Sequence, residues 1–370
     1  MVPMERLPKM LLRWYHRHAR RSLPWRKTQD PYAIWVSETM LQQTQVATVI
    51  PYYRKFLRRF PTVRALAKAT PTQVLDVWSG LGYYRRAQHL HQGAIQVVRE
   101  WNGQLPSNVQ ELRKIPGIGP YIAGAIASIA FGQPEPALDG NALRVFARIF
   151  GIREDPHRPS VQRSIHERLR SIIPSKAPGH FNQAVMDLGA TICTPRRPRC
   201  ELCPVASECM AFEKGWQDTI PPVGRPVSRK PWPYTCGILE QNGSILIARR
   251  PMTAPLPGLW EFPGGEVLPN HSSDQSLQIH IESRLGISVH PSERVGTIRH
   301  LLTHRELIIE GFRCRPLSSW NDRLSQKEKG AFADLKPQWY IELRWVPLCA
   351  LDRVPLSAGM EKLARRVYPP

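Results

Sequence analysis

No apolar run in this 370-residue chain is long enough to span a bilayer; the best candidate, IAGAIASIAF from Ile122 to Phe131, falls well short of the about 20 residues a membrane helix needs. The first residues, MVPMERLPKMLLRWYHRHARR, are basic but lack the apolar stretch and small-residue cleavage site of a secretion signal. Their Trp, Tyr and His suit a first domain helix better than an Arg-rich presequence. A soluble intracellular protein is therefore expected. The cysteines do not form an even, dispersed set: of seven, four crowd between Cys193 and Cys209, which argues against a secreted disulfide framework and for metal. Acidic residues are also scarce. There are 30 Asp+Glu against 51 Lys+Arg, a net charge of +21 with a sequence pI of about 10.2. Through Lys214 the chain holds 31 basic and 15 acidic residues, leaving 20 and 15 for the rest, so the excess sits in the first part. Such an imbalance suits a polyanion, nucleic acid before membrane surface.

The length exceeds what one core usually supports, and 42% hydrophobic residues are enough to build two. From Leu7 to about Phe212 apolar residues recur at helical spacing, as in Val46, Val49, Ile50, Tyr53, Phe56 and Phe60. Asp30 before Pro31 reads as an N-cap and first-turn proline opening the helix that carries SETMLQQTQV. An all-α domain is expected over 1–214. Residues 215–233, GWQDTIPPVGRPVSRKPWP, are Pro-dense and aperiodic, and read as a semi-rigid linker. After it come short runs, TCGILE, SILIARR, LWEFPGGE and RELIIEGFRC, separated by turns such as QNG, which predict a sheet-centred α+β domain over 234–370. No tandem repeat is present.

Three stretches carry chemistry. In ELRKIPGIGPYIAGAIASIAFG, a short helix, a tight turn at Gly117, Ile118 and Gly119, and a second helix would bring backbone N–H groups and a positive dipole end to a phosphate. Asp139, in ALDGNALRVF, reads by itself as a helix cap or turn residue. The thiol spacing C-x6-C-x2-C-x5-C at Cys193, Cys200, Cys203 and Cys209 fits zinc or an iron–sulfur cluster.

Taken together in their order, LPWR, SETMLQQTQV, GLGYYRRA, IPGIGPY, ALDGN and the four-cysteine segment resemble the helix-hairpin-helix DNA glycosylases over residues 7 to 212. With the second domain the pattern is similar to the MutY-type adenine glycosylases along nearly the full chain. The resemblance implies a monofunctional base-excision enzyme that flips out and removes adenine mispaired with 8-oxoguanine or guanine in double-stranded DNA. It implies Glu38 as the acid and water-activating group, Asp139 as the partner of the cationic sugar, Asn141 as an orienting residue and Tyr121 as a pocket residue that positions them. The chemistry requires such a pair: a departing base needs a proton and an oxocarbenium-like sugar needs negative charge, so two carboxyls must differ in protonation. Trp35, Met40 and Leu41 beside Glu38 predict a partly apolar setting that would raise its pKa. Related lyases carry a lysine where this chain has Tyr121, and a Schiff base needs that amine; Lys114 lies on the other side of the turn.

By the same resemblance Gln43 and Tyr83 wedge into the emptied base stack, and Trp25, Arg26, Leu41 and Gln183 line the adenine pocket, while Tyr84 is assigned to the core. The cysteines are then ligands of one [4Fe–4S] cluster, which pins a loop presenting Arg196, Arg197 and Arg199 to DNA phosphates. Cys236, Cys314 and Cys349 are expected to be buried small hydrophobes. The second domain resembles a nudix-like domain whose helix, LQIHIESRLG, retains only Glu282 of a magnesium-binding carboxylate set, so recognition rather than hydrolysis is expected. The resemblance implies Leu302-Thr303-His304 as the reader of 8-oxoguanine, where Thr303 and His304 keep the polar groups and Leu302 departs from the family's aromatic. A monomer in a bacterial cytoplasm, acting on the nucleoid, is expected. The competing readings are a bifunctional glycosylase/lyase and a non-catalytic DNA-binding protein braced by metal.

Overall fold

The computed structural model describes residues 6–222, 228–302, 304–316 and 339–369. The chain divides into two compact units, one of residues 1–77 with 85–225 and one of residues 78–84 with 226–370. Among the described residues no helix is long and apolar enough to cross a membrane.

The first unit is helical, as its periodicity predicts. Its helices are α1 (Arg6–His18), α2 (Pro31–Leu41), α3 (Val46–Arg59), α4 (Val63–Lys68), α5 (Pro71–Trp78), α6 (Arg85–Trp101), α7 (Val109–Leu112), α8 (Pro120–Ile129), α9 (Gly140–Ile149), α10 (Pro159–Arg170), α11 (Pro178–Thr191) and α12 (Met210–Glu213). Asp30 caps α2 by accepting the Tyr32 N–H at 3.0 Å, with Pro31 supplying the fixed φ of the first turn. In α3 the predicted stripe holds: Val49, Tyr53 and Phe56 are buried, and Phe60 is buried just past the helix end. One core joins α1, α9, α10 and α11 through Leu7, Leu11, Phe146, Ile165, Phe181 and Leu188. Helix α8 is built of small residues because a neighbouring segment lies on it. A Cβ at Gly124 would stand 2.3 Å from the Pro136 carbonyl oxygen, so that position must stay bare for the loop before Asp139 to pass.

The second unit is α+β. Its strands are β1 (Lys230–Ile238), β2 (Glu240–Gln241), β3 (Ser244–Arg249), β4 (Trp260–Glu261), β5 (Gly264–Glu266), β6 (Val289–Leu301), β7 (Arg305–Pro316) and β8 (Glu342–Pro347), with helices α13 (Ser273–Leu285) and α14 (Ala358–Val367). One sheet runs β5-β1-β7-β6, with β1 and β7 parallel from Lys230↔Arg305 to Ile238↔Arg313; the other has β3 between β2, β4 and β8. The β2–β3 turn is the QNG predicted from sequence, with Asn242 and Gly243 both at positive φ. Alternation along β3 sends Ile245 and Ile247 into the core shared with α14, and Leu246 and Ala248 into the core shared with α13.

Two expectations change. The Pro-dense stretch 215–233 is not linker throughout: Ile220 is buried with Ala147 and Ala211, and Lys230 already pairs in β1, because apolar contacts at one end and pairing with β7 at the other capture the segment. Cys236 and Cys314 are buried as expected, but Cys349 is exposed in a short 3-10 turn whose core contacts are made by Leu348, Ala350 and Leu351 instead.

Candidate active site

Helix α2 is apolar over almost its whole surface, so it carries Glu38 into the interior, where the residue is 5% exposed. From the first turn of α8 the Tyr121 hydroxyl donates to Glu38 Oε2. Burial lifts the Glu38 carboxyl above the usual glutamate range; the Tyr121 hydrogen bond and the Arg26 charge oppose that shift, and the Asp139 charge adds to it. Burial beside the same carboxylates pushes the Tyr121 phenol well above its ordinary value, so it remains a hydrogen donor.

Asp139 is an N-cap, as its local sequence suggests, and at the same time part of this site. Its Oδ1 accepts the Ala142 N–H at 2.7 Å and its Oδ2 accepts from Asn141 Nδ2 at 3.1 Å, at the positive end of α9. Asn141 Oδ1 in turn accepts from Arg144 at 3.0 Å. Arg144 also donates to the carbonyls of Gly189 and Cys193, both at 2.9 Å, so a continuous hydrogen-bond path runs from Asp139 to the cysteine loop.

Arg26 donates to Asp187 at 3.0 Å and approaches the Tyr15 hydroxyl at 3.5 Å; Tyr15 donates to Gln183 Oε1. The structure thus gathers Glu38, Tyr121, Asp139, Asn141, Arg26 and Gln183 on α2, α8, α9, α11 and the turn before α2. Trp25 is placed differently: it is buried edge-on against Tyr53 at 5.5 Å, a packing contact. Leu41 is half-buried at the end of α2. Tyr15, Asp187 and Arg144 belong to the network and to no recognised motif; in the sequence Tyr15 is simply one of the apolar stripe of α1.

The two expected wedge residues share an unusual backbone. Gln43 (φ 56°) and Tyr83 (φ 49°) are both exposed and both left-handed, a conformation that costs a non-glycine residue about 1–2 kcal/mol. Arg86 holds the Gln43 turn by donating to the Thr39 and Met40 carbonyls at 3.0 and 2.8 Å, to the Gln42 carbonyl, and to Thr44 Oγ1 at 3.0 Å. Tyr84 is buried, as assigned. At the hairpin Gly117 (φ 81°) and Gly119 are exposed, Gly119 serving as the N-cap of α8. Ile118 is not free to serve as proposed: its side chain is core and its N–H bonds the Ile115 carbonyl at 3.0 Å, so the hairpin's open backbone is that of the glycines.

Cys193, Cys200, Cys203 and Cys209 line one cavity together with Val145, Ile149, Leu188, Ile192 and Val205. Four thiols around one apolar cavity are a donor set that an iron–sulfur cluster takes. Burial pushes the Cys203 thiol up to about 12, with the Val205 N–H opposing and the neighbouring sulfurs adding to the rise; thiolates gathered here would need cationic iron to compensate them. Arg148 supplies part of that charge, donating to Cys193 Sγ at 3.3 Å and to the Thr194 carbonyl at 2.7 Å. Arg196 and Arg197 are exposed on the loop, while Arg199, also exposed, donates to the Thr191 carbonyl.

In the second unit His304 is exposed at the β6–β7 turn, its carbonyl accepting the Lys230 N–H at 3.3 Å; Thr303 lies outside the described residues. Leu302 packs partly into the core, so it is not an exposed wedge. Glu282 is exposed on α13, accepting from Ser288 at 3.3 Å. Glu261 is buried but pinned by Arg250 at 2.5 Å and by the Tyr234 hydroxyl at 3.0 and 3.1 Å.

Residues 36–171 match the HhH-GPD superfamily of base excision DNA repair proteins, 193–209 the iron–sulfur binding domain of endonuclease III, and 234–366 the NUDIX domain. The adenine DNA glycosylase of Rattus norvegicus is 37% identical over 352 residues, covering 80% of this chain and 68% of that protein. The chain belongs to the adenine DNA glycosylase family. The adenine DNA glycosylase of Homo sapiens is 40% identical over 308 residues, covering 68% of this chain and 56% of that one. Among solved structures, a thermostable thymine-DNA glycosylase superposes with a TM-score of 0.52 at 28% identity, over 57% of this chain and 97% of its own. The family makes the chain a DNA N-glycosylase of base excision repair that acts on adenine, and makes the cysteine loop a [4Fe–4S] site.

Proposed function

We propose that the chain excises adenine opposite 8-oxoguanine, or opposite guanine, by hydrolysis and without cutting the strand. The observation that carries this is the unlike pair of carboxyls: Glu38, buried and shifted toward its protonated form, beside Asp139, whose two oxygens accept hydrogen bonds at a helix N-terminus. Gln43 and Tyr83, already strained and exposed, fill the stack as the adenine swings out. Protonated Glu38 donates its hydrogen to a ring nitrogen of the adenine while the C1′–N9 bond breaks, its electron pair leaving with the base. Asp139, held by Ala142 and Asn141, faces the positive charge that develops on the sugar. Glu38, now a carboxylate, takes a proton from water as the water oxygen bonds C1′. Tyr121 donates to Glu38 and has no amine, so no Schiff base to the sugar forms at that position and the product is an abasic site.

The four cysteines are the proposed iron ligands; the cluster supplies a rigid knot around which the loop offers Arg196 and Arg197 to phosphate, with Gly117 and Gly119 as a second phosphate contact. Thr303 and His304 read the lesion's N7–H, which guanine lacks. Duplexes with adenine opposite 8-oxoguanine, incubated with and without later alkali, test the reading. Free adenine with scission only after alkali is expected; scission without alkali would make the enzyme a lyase, and no adenine release would remove the catalytic reading.

A further inference from the structure

Tyr15 lies at a junction between two proposed pocket residues and is itself almost wholly buried. Its oxygen stands 3.5 Å from Arg26 Nη1, and it also contacts Gln183 Oε1. A guanidinium can only donate, so at the first contact the phenol oxygen must accept. The hydroxyl has one hydrogen. Burial raises the Tyr15 phenol above its ordinary value, with the Arg26 charge opposing, so that hydrogen stays in place at neutral pH and is available to Gln183. Only the carbonyl end of an amide can receive it.

The other end of the chain is fixed as firmly. Asp187, 1% exposed, is an acceptor only; its Oδ1 takes Arg26 Nη2 at 3.0 Å and Arg20 Nη2 at 2.6 Å, and its Oδ2 takes the Arg20 backbone N–H at 3.3 Å. Direction therefore propagates one way, from the Asp187 acceptor through the Arg26 donor and the Tyr15 relay to Gln183 Oε1. The amide NH2 is the end left to face the pocket.

We propose that Tyr15 is a specificity-determining positioning residue, locking the Gln183 amide so that its NH2 donates to a ring nitrogen of the expelled adenine. This rests on the reading that Gln183 lines the adenine pocket. A free amide satisfies an acceptor or a donor equally by turning over; a locked one leaves a hydrogen bond unmade with a base that presents N–H at that place.

The test is a double-mutant cycle of single-turnover adenine release from an A:8-oxoguanine duplex, using wild type, Y15F, Q183L and Y15F/Q183L of the full chain. Phenylalanine keeps the ring in the α1 core, so Y15F should fold with a thermal midpoint only slightly below wild type, the loss being that of one buried hydrogen bond. Y15F is expected to slow release about tenfold, the worth of one well-placed hydrogen bond, and to cost nothing further in the Q183L background, because Tyr15 acts through that amide. Penalties that multiply, or a Y15F enzyme as fast as wild type while Q183L is slow, would overturn the proposal and leave the pocket reading standing. A Q183L enzyme as fast as wild type would overturn the pocket reading and the proposal with it.

Discussion

Two glutamates, one in each unit, share almost every local property and do different work. Glu38 and Glu261 are both buried, at 5% and 2% exposure, and each accepts a hydrogen bond from a tyrosine, Tyr121 and Tyr234. What separates them is the nearest cation. Arg250 sits 2.5 Å from Glu261 and is matched to it; despite the desolvation that opposes its charge, the guanidinium is raised above its ordinary value by that carboxylate. Arg26 instead spends its donors on Asp187 and Tyr15 and reaches Glu38 only through space. Burial therefore dominates at Glu38 and favours the neutral acid, whereas at Glu261 the ion pair braces β3 against β4. A buried carboxyl becomes an acid when its arginine is held elsewhere.

The sharpest way to break this comparison is to remove each charge in turn. E38Q should lower single-turnover adenine release by about 10³-fold or more, since general acid catalysis is worth about 10²–10⁴-fold. E261Q should leave an uncompensated buried arginine and cost about 3–5 kcal/mol in denaturant unfolding of the second unit, far more than it costs the chemical step. The stability signs should also be opposite. A carboxyl whose folded pKa is raised stabilises the fold fully at low pH and loses that contribution as pH rises through the folded value, so at neutral pH E38Q should raise the thermal midpoint of the first unit. D139N should abolish most activity yet leave that midpoint nearly unchanged, because asparagine caps a helix as well as aspartate does.

Smaller effects sharpen the division between the units. H304A should lower the preference for adenine opposite 8-oxoguanine over adenine opposite guanine by about tenfold, with little change in the rate on the guanine mispair; the two substrates compared in one competition assay report it directly. R196A and R197A should each weaken duplex binding without regard to sequence and reduce the slope of log affinity against log salt by about 1.

Local signals made much of this legible. Asp30-Pro31 announced the start of α2, the Asn-Gly turn its hairpin, and the thiol spacing its cavity. Asp139 shows that a bland and a functional reading can both hold, since the capping geometry is what fixes the carboxylate. The Tyr15–Gln183 and Arg26–Asp187 contacts join residues 168 and 161 positions apart, and no periodicity encodes such a pairing. Trp25 and Ile118 show the converse: each flanks a functional neighbour in a motif, but the side chain turns into the core, a direction decided by packing against Tyr53 and by the hairpin's own turn.

The pH dependence of single-turnover adenine release from the A:8-oxoguanine duplex tests the protonated Glu38 most directly. The rate should fall as pH rises through a midpoint above the ordinary glutamate value of about 4.3, with E38Q slow and without that transition. A rate that shows no such fall, or an E38Q enzyme that retains the wild-type profile, would contradict the assignment.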